Sequence, residues 1–219
     1  METLKTGYMI CVSLAHMDFN TCMQHAGREA FVEFRFDLLD AGPARVISLV
    51  SRARRCIATC RTGVYSEKNR FRILQAALEA GADYIDLDLE SDVHFLEELA
   101  PTARSKGCDM ILSYHDFEKT PQAEELDRIV KNCRDAGADL VKIACQVNRA
   151  EDLVNLFHLY RHNVRMVVIG MGRKGIVSRV AAPLLGAEFT FASVGEGKET
   201  APGQITRERL QGILDQMQV

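Results

Sequence analysis

The chain of 219 residues has no tryptophan, and aromatic residues make up 7% of it, so its core must rest mainly on aliphatic side chains. With five prolines and fifteen glycines it has no linker, no low-complexity segment and no break in composition. One domain spanning residues 1–219 is therefore expected. No apolar run approaches transmembrane length, and Met1–Tyr8 carries no signal-peptide core. The expectation is a soluble cytoplasmic protein with no membrane contact. Neither sign of charge dominates: 27 basic against 30 acidic residues give a net charge of -3, which argues against a broad nucleic-acid footprint. The densest basic stretch, Arg52–Arg55, reads as the solvated end of a helix. Cys11, Cys22, Cys56, Cys60, Cys108, Cys133 and Cys145 form no Cys-x-x-Cys pair and no zinc spacing with histidine, so no metal site is expected. Their odd number and apolar settings fit free thiols in a reducing compartment.

What is present is alternation. Eight short β-branched or apolar runs read as strands: Met9–Leu14, Phe31–Phe36, Cys56–Cys60, Tyr84–Leu89, Met110–Ser113, Leu140–Ala144, Met166–Ile169 and Phe189–Val194. Amphipathic stretches lie between them. In Asn69–Ala80, Phe71, Leu74, Ala77 and Leu78 follow helical spacing. Another helix opens at Thr120 as N-cap with Pro121 in its first position, and buries Leu126, Ile129, Val130 and Cys133. The joints repeat: Ala80-Gly81-Ala82-Asp83 recurs as Ala136-Gly137-Ala138-Asp139, 56 positions later, and again as Gly186-Ala187-Glu188. A glycine just past a helix end supplies the left-handed cap. Dividing 219 residues among eight units gives about 27 each, close to the size of one βα unit. The reading is a single (β/α)8 TIM barrel. The rival, an open doubly wound sheet, normally carries a glycine-rich loop after its first strand, and Ser13-Leu14-Ala15-His16 has none.

In such a barrel the active site forms at the C-terminal strand ends, and the polar residues gather there. Glu33, Arg35 and Asp37 alternate with phenylalanines, and Asp86, Asp88 and Glu90 alternate with Ile85, Leu87 and Leu89. Arg61 follows the third strand, His115 closes the fifth, and Lys142 stands inside the sixth. Interior charges often pair with one another, so Arg35 with Glu33 or Asp86 has a purely structural reading. His16, His25, His94, His158 and His162 fall on loops or helices and read as surface residues. An unburied lysine titrates near 10.4, which disfavours its free amine at pH 7 by roughly 4.6 kcal/mol, and burial can offset that cost. A desolvated amine beside an imidazole is equipment for imine chemistry on a ketone.

The ordered motifs resemble type I 3-dehydroquinate dehydratase. They are Glu33-Phe34-Arg35-Phe36-Asp37, Cys60-Arg61-Thr62, Tyr84-Ile85-Asp86-Leu87-Asp88-Leu89 and Ser113-Tyr114-His115-Asp116-Phe117 with Thr120-Pro121. Val141-Lys142-Ile143-Ala144, Gly170-Met171-Gly172, Gly175–Arg179 and Ala201-Pro202-Gly203-Gln204 complete the set. The resemblance implies a cofactor-free syn dehydration of 3-dehydroquinate in the shikimate pathway, toward chorismate and the aromatic amino acids. Lys142 would form a Schiff base, with His115 as general acid and base. It also implies that Arg179 and Gln204 hold the substrate carboxylate, that Glu33, Arg35 and Arg61 grip ring hydroxyls, and that Met171 packs on the ring. Ser13 and Thr200 would add weaker polar contacts. A homodimer is implied as well.

Departures from the pattern are visible. Tyr65 stands where the family often places an acid that orients its histidine, which leaves Asp116, Glu67 or an interior acid such as Asp86 for that task. The Gly195–Glu199 loop is long and charged, and the N-terminus looks too short for the β-hairpin that often plugs the far end of the barrel. Two alternatives stand beside this reading. One is another Schiff-base barrel lyase of aldolase type, for which Gly170-Met171-Gly172 is a weak phosphate cradle. The other is a catalytically silent metabolite-binding barrel.

Overall fold

The computed structural model describes residues 8–90 and 92–217. The first strand and helix are β1 (Ile10–Leu14) and α1 (Phe19–Arg28), followed by β2 (Val32–Arg35) and α2 (Pro43–Arg52). Next come β3 (Cys56–Thr59), α3 (Glu67–Glu79), β4 (Tyr84–Asp88) and α4 (Val93–Lys106). The second half holds β5 (Asp109–Asp116), α5 (Ala123–Asp135), β6 (Leu140–Gln146) and α6 (Ala150–His158). It ends with β7 (Met166–Met171), α7 (Ile176–Leu184), β8 (Thr190–Ser193) and α8 (Arg207–Gln216). All strand pairs are parallel and run in the order β7-β6-β5-β4-β3-β2-β1-β8. The sheet nearly closes: at the β7–β8 seam the Glu188 N–H donates to Met166 O at 3.0 Å. All eight expected strands are present. The N-terminal hairpin question falls on residues 1–7, outside the described residues.

The repeated joints have a physical basis. Gly81, Gly137 and Gly186 have φ of +92°, +92° and +102°, a left-handed conformation in which each helix chain reverses. The acid that follows ties the unit to its neighbour. Asp83 Oδ2 accepts the Cys56 N–H at 2.8 Å, and Asp139 Oδ2 accepts the Met110 N–H at 2.8 Å. Each aspartate thus satisfies the amide at the start of the preceding strand.

Strand alternation divides the apolar residues into two layers. Val12, Phe34, Ala58, Ile85, Leu112, Ile143 and Val168 face the helices, while Cys11, Phe31, Ile57, Tyr84, Ile111, Val167 and Phe189 fill the barrel interior. Phe31, Tyr84 and Phe189 pack at ring-centroid distances of 5.0–5.9 Å and fill the interior near the N-terminal strand ends. Arg55 covers them, with its guanidinium 5.1 Å from the Phe31 and Tyr84 centroids. It is therefore a packing residue of the barrel floor rather than part of a solvated helix end, because its aliphatic stem and planar head suit an aromatic face.

Thr120 does not cap α5. Its hydroxyl donates to Gln146 O at 2.8 Å, fastening the loop to the end of β6, and the helix instead starts after Gln122. A side chain spent on a tertiary contact cannot also accept the helix amides, and Pro121 keeps Thr120 extended. Leu126, Ile129, Val130 and Cys133 are buried as expected. Among the histidines, His16, His94 and His158 are exposed, whereas His25 and His162 are half-buried. His162 is held by Asp127 at 2.7 Å. No helix among the described residues is long and apolar enough to cross a membrane.

Candidate active site

With the lower interior filled, the upper end of the barrel holds a cavity of about 350 Å³. Ser13, Glu33, Arg35, Arg61, His115, Lys142, Met171, Arg179, Thr200 and Gln204 all line it. These ten positions come from seven strands or the segments after them, so barrel closure alone brings them together.

Lys142 is 6% exposed. Its Nζ donates to Asp86 Oδ2 at 2.8 Å, lies 3.6 Å from Glu33 Oε1, and sits 4.3 Å from the centroid of the Phe191 ring. The amine is thus buried as expected, and the structure adds two carboxylates and an aromatic face around it. Both carboxylates are fixed in turn. Glu33 accepts from the Ser13 and Thr59 hydroxyls at 2.8 and 3.0 Å. Asp86 accepts from the Ser113 hydroxyl at 2.6 Å and pairs with Arg61 Nη2 at 2.8 Å. Burial raises the Asp86 carboxyl, but Arg61, Lys142 and His115 outweigh it and hold the group well below the usual carboxylate range.

His115 is pushed down to about 4, first by burial and then by the Arg61 and Lys142 cations, against an opposing hydrogen bond to Asp88. At neutral pH its imidazole is uncharged and able to accept a proton. Its partner is Asp88, with Oδ2 3.5 Å from Nδ1. None of Asp116, Glu67 and Asp86 takes that place. Asp116 accepts the Glu118 and Lys119 amides, Glu67 pairs with His94, and Asp86 belongs to Lys142 and Arg61. Tyr65 directs its hydroxyl to Leu39 O at 3.3 Å.

Arg35 pairs with Asp37 through two hydrogen bonds of 3.0 and 2.7 Å, rather than with Glu33 or Asp86. β2 ends at Arg35, and the tight turn Phe36–Leu38 carries Asp37 back against the guanidinium. Glu90 lies beyond β4 and is exposed. Arg179, 1% exposed, donates to Gly203 O at 3.0 Å and to Phe191 O and Pro202 O at 3.5 Å. No carboxylate among the described residues pairs with it, and burial pulls it down to about 10. Nearby, Gln204 Oε1 accepts the Thr200 N–H at 2.7 Å, which leaves Nε2 to donate toward Ser13 Oγ at 3.3 Å. One wall of the cavity is therefore cationic and rich in donors, lacking an anion of its own. The glycine turn after β7 is no phosphate cradle: the amides of Gly170, Gly172 and Gly175 are spent on Ser178 Oγ, Pro202 O and Gly172 O.

A buried lysine, a neutral histidine and an acid-free arginine on a (β/α)8 frame describe a specific kind of site, and the family model for type I 3-dehydroquinase matches residues 10–219. The chain belongs to the type I 3-dehydroquinase family. Among relatives of this family, the 3-dehydroquinate dehydratase of Desulfotalea psychrophila is 33% identical over 218 residues, covering 94% of this chain and 96% of that protein. The crystal structure of the Aquifex aeolicus 3-dehydroquinate dehydratase superposes with a TM-score of 0.82 at 26% identity, over 96% of this chain and 99% of that one. The Geobacillus kaustophilus enzyme gives 0.85 at 22% identity, with 97% and 92% covered, a likeness of fold. Against this type I 3-dehydroquinase frame, sequence reasoning missed Asp88 as the partner of His115 and Phe191 as the face beneath Lys142. The alternation of Asp86 and Asp88 placed both acids inward, but only the β4–β5 register, which sets Asp88 opposite Ser113, puts Asp88 beside His115.

Proposed function

We propose that this chain, as a hydro-lyase, removes water from 3-dehydroquinate by syn elimination through an imine on Lys142, giving 3-dehydroshikimate. The free amine of Lys142 adds to the C3 ketone, and water leaves as the imine forms. The protonated imine draws electrons and acidifies the neighbouring C2 hydrogen, which His115 removes to give an enamine. The enamine pair then returns and expels the C1 hydroxyl, protonated by His115 as it departs. Water hydrolyses the remaining imine, releases the product and restores Lys142. Two waters leave and one returns, so the net change is one dehydration.

Asp86 and Glu33 suit this path. They flank the nitrogen that carries positive charge as an ammonium and again as an iminium, so they stabilise the electron sink without moving. Arg179 and Gln204 receive the substrate carboxylate, with a planar guanidinium matched to two oxygens. Arg35, Arg61 and Glu33 hold ring hydroxyls, Met171 packs on the ring, and Ser13 and Thr200 orient Gln204. A place in the shikimate pathway, a cytoplasmic setting and a homodimeric state belong to the same proposal.

The observation that carries it is the buried, acid-free Arg179 in one cavity with Lys142 and neutral His115. Such a guanidinium calls for an anion from the substrate. Incubation of the purified protein with 3-dehydroquinate tests the reading. Growth of the conjugated enone absorbance supports it, and a flat trace over repeated preparations overturns it.

A further inference from the structure

Asp88 ends β4, and its two carboxylate oxygens have separate contacts. Oδ1 accepts the Glu90 N–H at 3.1 Å, while Oδ2 faces Nδ1 of His115 at 3.5 Å and Arg61 Nη1 at 4.0 Å. The turn that carries this carboxylate is itself anchored. Asp92 accepts the Asp88 N–H at 3.2 Å and returns its own N–H to Asp88 O at 2.8 Å. Arg70 grips both oxygens of Asp92 at 2.6 Å, and its Nε donates to Cys60 O at 2.9 Å. A buried ion pair behind the turn thus fixes the position of Asp88, and through it the orientation of the imidazole. The groups facing His115 are Asp86 and Asp88 from β4, Arg61 from the segment after β3 and Lys142 from β6. Asp86 is committed to Lys142, Arg61 and Ser113, and of these groups Asp88 contacts Nδ1.

We propose that Asp88 is the positioning residue of His115, holding the Nδ1–H so that Nε2 presents its lone pair to the substrate. Which ring nitrogen bears the proton is set by the hydrogen bonds the two nitrogens make: a nitrogen that faces a carboxylate keeps the proton and leaves the other with its lone pair. An anion at Nδ1 selects the Nδ1–H tautomer and supports the imidazolium that forms during proton transfer. A separation of 3.5 Å is long for a resting hydrogen bond and shortens when the ring gains charge. Tyr65 has no part in this arrangement. The inference rests on His115 being the proton-transfer group of the proposed dehydration.

Nitrogen NMR of histidine-labelled protein, with the His115 signals assigned by loss in His115→Asn, tests it without substrate. The wild-type signal is expected to be the Nδ1–H tautomer, with a midpoint of about 4. In Asp88→Asn the population moves toward Nε2–H and the midpoint falls, because a carboxylate that favours the imidazolium is gone. With 3-dehydroquinate, kcat of Asp88→Asn drops about 10- to 100-fold, a share of the roughly 10²- to 10⁴-fold that a placed acid–base group supplies. KM holds, and the acid limb of the pH profile moves down with the NMR midpoint. Asp88→Glu keeps the tautomer and recovers part of kcat, and Tyr65→Phe changes neither. An Nε2–H tautomer in the wild type, or an Asp88→Asn protein with unchanged tautomer and kcat, overturns the proposal. Failure of the wild type to dehydrate 3-dehydroquinate sinks the functional reading instead, and the tautomer comparison still decides the role of Asp88.

Discussion

Replacing Arg179 with lysine keeps a positive charge and removes the planar fork. Arg179 is 1% exposed, and among the described residues its guanidinium meets three backbone carbonyls, two of them at 3.5 Å. In the proposed complex its strongest partner is the substrate carboxylate. Breaking one side of a buried, hydrogen-bonded charge pair costs about 2–4 kcal/mol, which is roughly a 30- to 1000-fold loss. Arg179→Lys should lose that much in kcat/KM, mostly through KM, when the enone absorbance is followed over a range of 3-dehydroquinate concentrations. The control is the carboxamide of 3-dehydroquinate, which lacks the anion. The wild type should handle it poorly, and Arg179→Lys should lose little further. Equal fold losses on acid and amide, or an unchanged kcat/KM on the acid, would refute the assignment of Arg179 to the carboxylate.

Four other outcomes follow from named contacts. His115, held at about 4, places the acid limb of kcat/KM near pH 4 rather than near the ordinary value of about 6.5. Below about pH 6.5 the unfolded chain takes up a proton that folded His115 refuses, so His115-linked stability falls from there to about pH 4 and is full above 6.5. A urea titration across that range, compared with His115→Asn, reads this term, and equal pH dependence in both proteins would exclude it. Arg70→Met removes the nitrogen that contacts both Asp92 oxygens and should cost about 3–5 kcal/mol in denaturant unfolding, since a buried carboxylate loses its cation. A loss below 1 kcal/mol would mean that the pair is not the anchor described. Gly203 has a φ of +73°, and an added Cβ would meet Gly172 O at 2.4 Å. Gly203→Ala should therefore displace the carbonyl that Arg179 holds, destabilise the fold by about 1–3 kcal/mol and raise KM, with unchanged thermal midpoint and KM as the contrary result.

The fold was readable because a (β/α)8 barrel repeats its signals. The Ala-Gly-Ala-Asp joints announce both the left-handed caps and the acids that tie neighbouring strands, and alternation places Glu33, Asp86 and Lys142 inward. The gathering of the candidate residues in one cavity was readable for the same reason, since barrel closure gathers strand ends whose positions in the chain are known. What escaped sequence reasoning depends on distances between elements. Asp88 and Asp86 have the same alternation, and the β4–β5 register alone separates the partner of His115 from the partner of Lys142. Thr120 has the composition of a cap and spends its hydroxyl across the loop on Gln146. Arg55 sits in a basic run, and an aromatic floor assembled from three distant strands takes it in.

In the proposed dehydration Lys142 bonds covalently to the substrate. Borohydride added during turnover of 3-dehydroquinate reduces an iminium to a stable secondary amine, and peptide mass analysis locates it. The expected result is inactivation with a reduced substrate or product adduct on Lys142, no adduct in Lys142→Ala, and slow but detectable trapping in His115→Ala. An unmodified Lys142 during active turnover, or full activity in Lys142→Ala, would contradict it.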